Sequence, residues 1–199
     1  MTEALLVFVL AIGLGWPLGR YLAAVMRGEP MRVDPAFAWI ERPLYRLLGT
    51  DPRRGMTWRG YAKAFVLSNA VVGLAVWAMF MAQAWLPLNP DAIPNMRWDV
   101  ALHTMVSFLT NTNQQHYSGQ AQLSYLSQMT GIVGLQIITP MMGLALVVAT
   151  LRALIGGRQT VQAGGEPDVG NDYADTIRAT VRGLLPLCLL WSVLLTSQG

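Results

Sequence analysis

Charge is what this sequence has least of. Of its 199 residues, 13% are charged and 53% apolar, against roughly 25% charged residues in an ordinary soluble domain. Fourteen Lys and Arg and eleven Asp and Glu cannot coat the surface of a free-standing globule of this length, and a disordered tail would be far less apolar. The net charge of +3 is small and spread along the chain, which excludes a nucleic-acid partner. Cysteine is almost absent too. The single Cys188 rules out a disulfide framework and a Cys-based zinc cluster, and inside the apolar run Leu184–Leu195 it reads as a small buried hydrophobe. Histidine is limited to His103 and His116, which a bend separates, so no histidine-based metal site is expected. The sequence has no Walker motif, no aspartyl-phosphorylation signature, and no HExxH or paired Asp inside an apolar run, so neither ATP hydrolysis nor intramembrane hydrolysis is expected of the chain itself. A basic n-region is also missing. Glu3 precedes the first apolar stretch, and Arg20 and Arg27 follow it, the order of a retained helix rather than a cleaved signal.

What remains is an all-α membrane protein, whose lipid-bilayer setting follows from its charge-free runs. A crossing needs about 20 apolar residues. The run Ala4–Gly19, extending to about Met26, supplies the first, with Pro17 between Gly15 and Gly19 at GxxxG spacing. Ala64–Leu86 supplies the second, and Gly183–Gly199, with the turn before it from Thr176, the last. The remaining gap, Val100–Leu151, is too long for one crossing and too polar at its centre for lipid. Thr110–Gln120, TNTNQQHYSGQ, lacks any aliphatic side chain and any fixed charge. The pattern is that of a short helix ending near Phe108–Leu109, a polar return segment, and a full span within Leu123–Leu151. Non-helical backbone survives at membrane depth only when buried in protein or lining a watery cavity. The fold expected is therefore about four transmembrane helices plus one re-entrant pore helix and filter loop. It divides into residues 1–63 (N-terminal helix and basic loop), 64–155 (helix–pore loop–helix repeat), 156–175 (linker, with a flexible Gly156–Gly170) and 176–199 (first helix of an incomplete second repeat).

Loop charges set the orientation. Arg27, Arg32, Arg42, Arg46, Arg53, Arg54, Arg59 and Lys63 lie between the first two spans, and Arg152, Arg158, Arg178 and Arg182 before the last, whereas only Arg97 lies between the second and third. Positive charge marks the cytoplasmic side, so the N-terminus and the polar return segment face outward. The proline-rich stretch Leu86–Asn95 is a stiff outer connection. Asn69, Gln83, Gln128, Gln136 and Thr139 fall inside spans two and three, where hydrogen bonds between helices are expected.

The chemistry lies in the return segment. Dehydrating an alkali cation takes several neutral oxygens at close range, and backbone carbonyls of a non-helical loop can supply them. Thr110–Ser118 offers such backbone, with hydroxyl and amide oxygens beside it. The C-terminal end of the short helix turns a partial negative charge toward it. On these grounds the segment is either a cation filter or a structural re-entrant turn.

The run SFLTNTNQQHYSG at Ser107–Gly119, followed by LSYLSQM at Leu123–Met129, resembles the first pore loop of the potassium-binding subunit of the bacterial Kdp potassium-transporting P-type ATPase. Arg42–Gly49 (RPLYRLLG), Met56–Tyr61 and Leu86–Pro90 (LPLNP) share the likeness. The resemblance implies four helix–pore loop–helix repeats in one polypeptide of the bacterial inner membrane. Such a subunit takes K+ from the periplasmic side, while a separate catalytic ATPase subunit, with small accessory subunits, hydrolyses ATP. It implies that Thr110, Asn111, Thr112 and Asn113 form the first quarter of the potassium filter, with Gln115 tuning affinity and Gln114, His116, Tyr117, Ser118 and Gly119 in support. Gln114 and Gln120 stand where some members carry Trp and Glu, which leaves their roles open. One repeat does not close a four-fold filter. The length therefore points to an N-terminal piece of a longer subunit; assembly of several copies, or a non-transporting structural remnant, are the alternatives.

Overall fold

A computed structural model describes residues 2–155 and 167–198. All regular structure among them is helical, and four helices are long and apolar enough to cross a membrane: Glu3–Arg27, Trp58–Trp85, Ser127–Ile155 and Asp172–Thr196. The protein is thus an all-α membrane protein. Its helices are α1 (Thr2–Arg27), α2 (Asp34–Leu47), α3 (Trp58–Ala82), α4 (Trp98–Leu109), the single turn α5 (Gly119–Gln122), α6 (Gly134–Ile155), α7 (Asp172–Arg178) and α8 (Leu185–Thr196). Wide, π-type turns at Ser127–Val133 and Ala179–Leu184 lead into α6 and α8. The chain forms two compact units, one of Arg53–Tyr173 and one of Met1–Pro52 with Ala174–Gly199.

The 53–173 unit is built on α3. Thr57 in extended backbone caps this helix, its hydroxyl accepting the Gly60 N–H at 3.3 Å. Val76 and Phe80 of α3 meet Ala101, Met105 and Phe108 of α4, Met96, Leu123 and Leu135 in one apolar core. Two glycines set the helix spacing. A Cβ on Gly73 would lie 3.0 Å from Met105 Sδ, and one on Gly131 would lie 2.6 Å from the Phe80 ring, so glycine at both is what lets α4 and the wide turn before α6 approach α3.

Hydrogen bonds of Gln83, just past the end of α3, pin the loops that follow. Buried Gln83 donates to Pro94 O at 2.7 Å and Gln122 O at 2.9 Å, and accepts from Ser124 N at 3.1 Å. The expected helix-to-helix role of Gln83 is therefore corrected: its amide joins two loops, because the helix ends there and leaves loop backbone within reach. Asn69 bonds Phe65 O of its own helix, and Gln128 bonds Leu123 O. Of the expected flexible linker Gly156–Gly170, residues 156–166 lie outside the described residues. The part beyond them is tied down, with Val169 N–H on Met56 O, Met56 N–H on Gly170 O and the Arg152 guanidinium on Val169 O.

The other unit is organised by an ion pair. Arg182, in the wide turn before α8, donates Nε and Nη2 to the two carboxylate oxygens of buried Glu41 at 2.5 and 2.7 Å, and Nη1 to Asp34 at 2.5 Å. Its carbonyl has lost its normal helical donor, because Pro186, four residues on, has no N–H. The Tyr21 hydroxyl of α1 takes that place at 2.9 Å. Gly28, at φ +68°, ends α1 against the Arg178 guanidinium. Cys188 is exposed on α8, a correction to its expected burial: α8 packs at its N-terminal end and carries no buried residue of its own. The Gly15 and Gly19 face of α1 is likewise open.

Arg182→Met leaves the Glu41 carboxylate buried without its partner, a defect worth about 3–5 kcal/mol. The thermal unfolding midpoint of the detergent-solubilised chain falls accordingly, and adding Glu41→Met restores most of the loss.

Candidate functional site: the Thr110–Gly119 return loop

Helix α4 stops at Leu109, and the next five residues turn their N–H groups back onto it. Thr110 N bonds Val106 O at 2.9 Å and Asn111 N bonds Phe108 O at 3.3 Å. Thr112 N and Asn113 N both reach Ser107 O, at 2.9 and 3.2 Å, and Gln114 N reaches Ser107 Oγ at 2.7 Å. To do this the backbone alternates in hand: Asn111 has φ +59° and Asn113 φ +53°. Asparagine tolerates the left-handed region better than other side-chain-bearing residues, which explains the Thr-Asn-Thr-Asn alternation locally. With the N–H groups committed to α4, the carbonyls are left free. Among the described residues no group donates to the carbonyl of any residue from Thr110 to Gln115, and these residues are exposed.

Side chains brace the loop at both ends. Thr110 Oγ1 bonds Val106 O at 2.8 Å and lies 3.1 Å from Thr112 Oγ1. Buried Thr139 of α6 places its hydroxyl 2.8 Å from Asn111 Oδ1 and 2.7 Å from Leu135 O. At the exit, the Tyr117 hydroxyl lies 3.0 Å from Thr104 Oγ1 of α4 and accepts from Gln115 Nε2 at 3.4 Å. Ser118 Oγ donates to Gln120 Oε1 at 3.1 Å, and Gly119 opens α5. His116 packs its ring against His103, centroids 4.7 Å apart. The bend therefore brings together two imidazoles that the sequence separates, while among the described residues no cluster of three or more His, Cys, Asp or Glu forms.

The ten residues expected at the site are consecutive, Thr110–Ser118 forming the loop and Gly119 opening α5, and three residues that anchor the loop do not belong to that expectation. Ser107 accepts three N–H groups, Thr139 holds Asn111, and Thr104 holds Tyr117. Only Thr139 carried a signal in the sequence, as a hydroxyl inside an apolar span. Beside the loop, an open cleft of about 420 Å³ is lined by residues including His103, Ser107, Thr110, Thr112 and Gln114. Asp99, on the same cleft, sits in the first turn of α4. Burial pushes its carboxyl up, but the Arg97 guanidinium, bonded at 3.1 and 2.8 Å, outweighs this and holds it below the ordinary aspartate value. It stays ionised at neutral pH, where it favours the positive end of the α4 dipole.

Residues 5–199 match the family described as KdpA, the potassium-transporting ATPase A subunit. The chain belongs to this family. Relatives of the KdpA family named potassium-transporting ATPase potassium-binding subunit include one from Desulfovibrio desulfuricans, 42% identical over 99% of this chain and 33% of its own length. One from Alicyclobacillus acidocaldarius is 42% identical over 98% of this chain and 33% of its own, and one from Pseudomonas putida is 40% identical over 98% and 34%. The chain spans about a third of the length of these curated relatives.

Ser107→Ala removes the acceptor of the Gln114 N–H and keeps the carbonyl that serves Thr112 and Asn113. Loss of one such bond is worth about 1 kcal/mol. Amide exchange at Gln114 quickens severalfold, while exchange at Thr110, bonded to Val106, stays unchanged.

Proposed function

We propose that this chain contributes the first pore-loop segment of a potassium-binding and translocating subunit in an ATP-driven uptake complex. The observation that carries the reading is the row of undonated carbonyls at Thr110–Gln115, on a loop whose N–H groups are consumed by α4. A potassium ion needs oxygens that no internal donor already occupies, and it needs them neutral, so that the ion is bound without being trapped. The loop has both properties. Membership of the KdpA family supplies the ion's identity, since the relatives are named for binding potassium.

In this reading residues 64–155 form one helix–pore loop–helix repeat, preceded by 1–63 and followed by the connection 156–175 and the helix-bearing segment 176–199. Thr110, Asn111, Thr112 and Asn113 line the ion path, Gln115 sits at its edge, and Gln114 and His116–Gly119 fix the exit. The loop enters the membrane from the periplasmic side of the bacterial inner membrane, with the N-terminus periplasmic and the Arg-rich connections cytoplasmic. That orientation follows the positive-inside rule. K+ is the cargo. ATP hydrolysis belongs to a separate catalytic subunit, with small accessory subunits completing the complex.

A chimera in which residues 1–199 replace the matching part of the Pseudomonas putida relative tests this in a transport complex. Gln115→Arg in the chimera sets a positive charge beside the filter. Two unit charges about 4 Å apart interact by about 4 kcal/mol at the effective dielectric of a protein surface. The potassium concentration that half-activates ATP hydrolysis rises at least about tenfold; an unchanged value refutes the filter assignment. The 199-residue chain reconstituted alone in liposomes gives no preference of potassium over sodium flux, because one segment does not surround an ion. A potassium-selective flux there would instead mean that copies of the chain assemble into a ring.

A further inference from the structure

Helix α2 turns two acids inward, beside the half-buried Phe37, Ile40 and Leu44, and an apolar stripe outward. Its inward side carries Asp34 and Glu41, both bonded to Arg182, and the half-buried Tyr45. Its outward side carries Trp39, 73% exposed, and Leu47, 81% exposed. Ala36 and Pro43 are also exposed and, at helical spacing, share the same stripe. Exposed Arg42 and Arg46 run along one edge of that stripe. In a solvated loop helix a buried acid on the inward side and an exposed indole on the outward side are both out of place.

The position of α2 supplies the reason. Within the candidate span Asp172–Thr196, Arg182 is the last charged residue before the charge-free stretch 183–196, and keeping its guanidinium out of hydrocarbon puts the boundary at its level. Tyr21 of α1, one position beyond Arg20, meets Arg182 at that level, and α2, bonded to the same arginine, lies there as well. An apolar stripe facing outward at this depth meets the boundary between acyl chains and headgroups. Arginines beside it meet phosphates. Three of the acids in this unit are already paired elsewhere: Glu41 and Asp34 are committed to Arg182, and Glu29 pairs with Arg27 at 2.6 Å.

We propose that α2 is an interfacial helix, with Trp39 and Leu47 inserted at the acyl boundary and Arg42 and Arg46 binding the phosphates of anionic phospholipid headgroups in the cytoplasmic leaflet. The chemistry is that of surface-lying helices, which seat an apolar face about 5–10 Å into the boundary and hold anionic lipid through Lys and Arg. The proposal does not depend on the potassium reading, and its test leaves that reading untouched.

The test uses the whole chain with Cys188→Ala and a spin label at Trp39→Cys, Leu47→Cys or, as the aqueous control, Pro30→Cys. Each is reconstituted in phosphatidylcholine vesicles with and without phosphatidylglycerol. Labels at 39 and 47 collide with oxygen in preference to an aqueous nickel chelate, and the label at 30 shows the reverse. Binding of fluorescent phosphatidylglycerol over phosphatidylcholine falls at least about tenfold in Arg42→Gln/Arg46→Gln, each arginine near a charged surface being worth about fivefold, and Arg42→Lys/Arg46→Lys retains most of it. Aqueous exposure of both labels in both vesicles overturns the proposal. So does unchanged lipid selectivity in the glutamine variant, or shielding that appears only when a protein partner is added.

Discussion

Everything at the return loop depends on where its N–H groups go. A peptide that turns around outside regular structure must find partners for each of its N–H and C=O groups. Here α4 absorbs the donors. Ser107 alone takes three, two on its carbonyl and one on its hydroxyl, at the point where an ordinary helix would leave its last carbonyls unused. The helix terminus and the loop therefore solve each other's deficit. What is left over is one-sided: a row of carbonyl oxygens with no donor. The left-handed conformations at Asn111 and Asn113 follow from the same requirement, since successive N–H groups of an unbroken right-handed turn cannot converge on one serine.

The two units handle buried polarity by different means. Around the return loop in the 53–173 unit it is neutral: Gln83, Ser124, Ser127, Thr104 and Thr139 are buried and hydrogen-bonded to one another or to backbone. A fixed charge there would dominate the field at any bound cation, because Coulomb interactions between buried groups are poorly screened. In the other unit polarity is ionic. Arg182 presents its fork to Glu41 in two parallel bonds, a geometry lysine does not reproduce. Burying such a pair contributes little net stability over an apolar equivalent, but it makes the alternative of either charge alone expensive. It thus fixes α2 in one place and one rotation.

Much of this was legible in the pattern of charge. The absence of Lys, Arg, Asp and Glu across Val100–Leu151 delimits α4, the loop and α6, and the end of α4 falls at Leu109, where the change from Val-Ser-Phe-Leu to Thr-Asn-Thr-Asn puts it. Ser107 was not legible as an anchor. Its role rests on backbone that doubles back five to seven residues later, and serine near a helix end ordinarily signals nothing more than local bonding. Gln83 looked like a helix-to-helix contact because its depth in the sequence run was read without the loop that folds over it. Arg182 read as one more topology-setting charge, and only the fold shows that it is the partner of residues 141 and 148 positions away. Cys188 misled for the complementary reason: hydropathy marks a residue as leaving water, and cannot distinguish a protein interior from a lipid-facing surface.

That last distinction bears on α2 as well. For a helix in water, an apolar stripe finds the inside and charge finds the outside. A helix bound to a membrane edge faces a different solvent on its outer side, and the rule loses its direction. Once Arg182 had drawn Glu41 and Asp34 inward, the opposite face of α2 was set by helical geometry alone: the residues about half a turn away must point outward. Those residues are Trp39, Pro43 and Leu47, with Arg42 and Arg46 at their margin, and they suit surroundings that accept indole and aliphatic groups together with positive charge. Water accepts the arginines and not the stripe, and hydrocarbon the stripe and not the arginines. The headgroup layer accepts both, so the ion pair on one face and the lipid boundary on the other hold the helix by the same rotation.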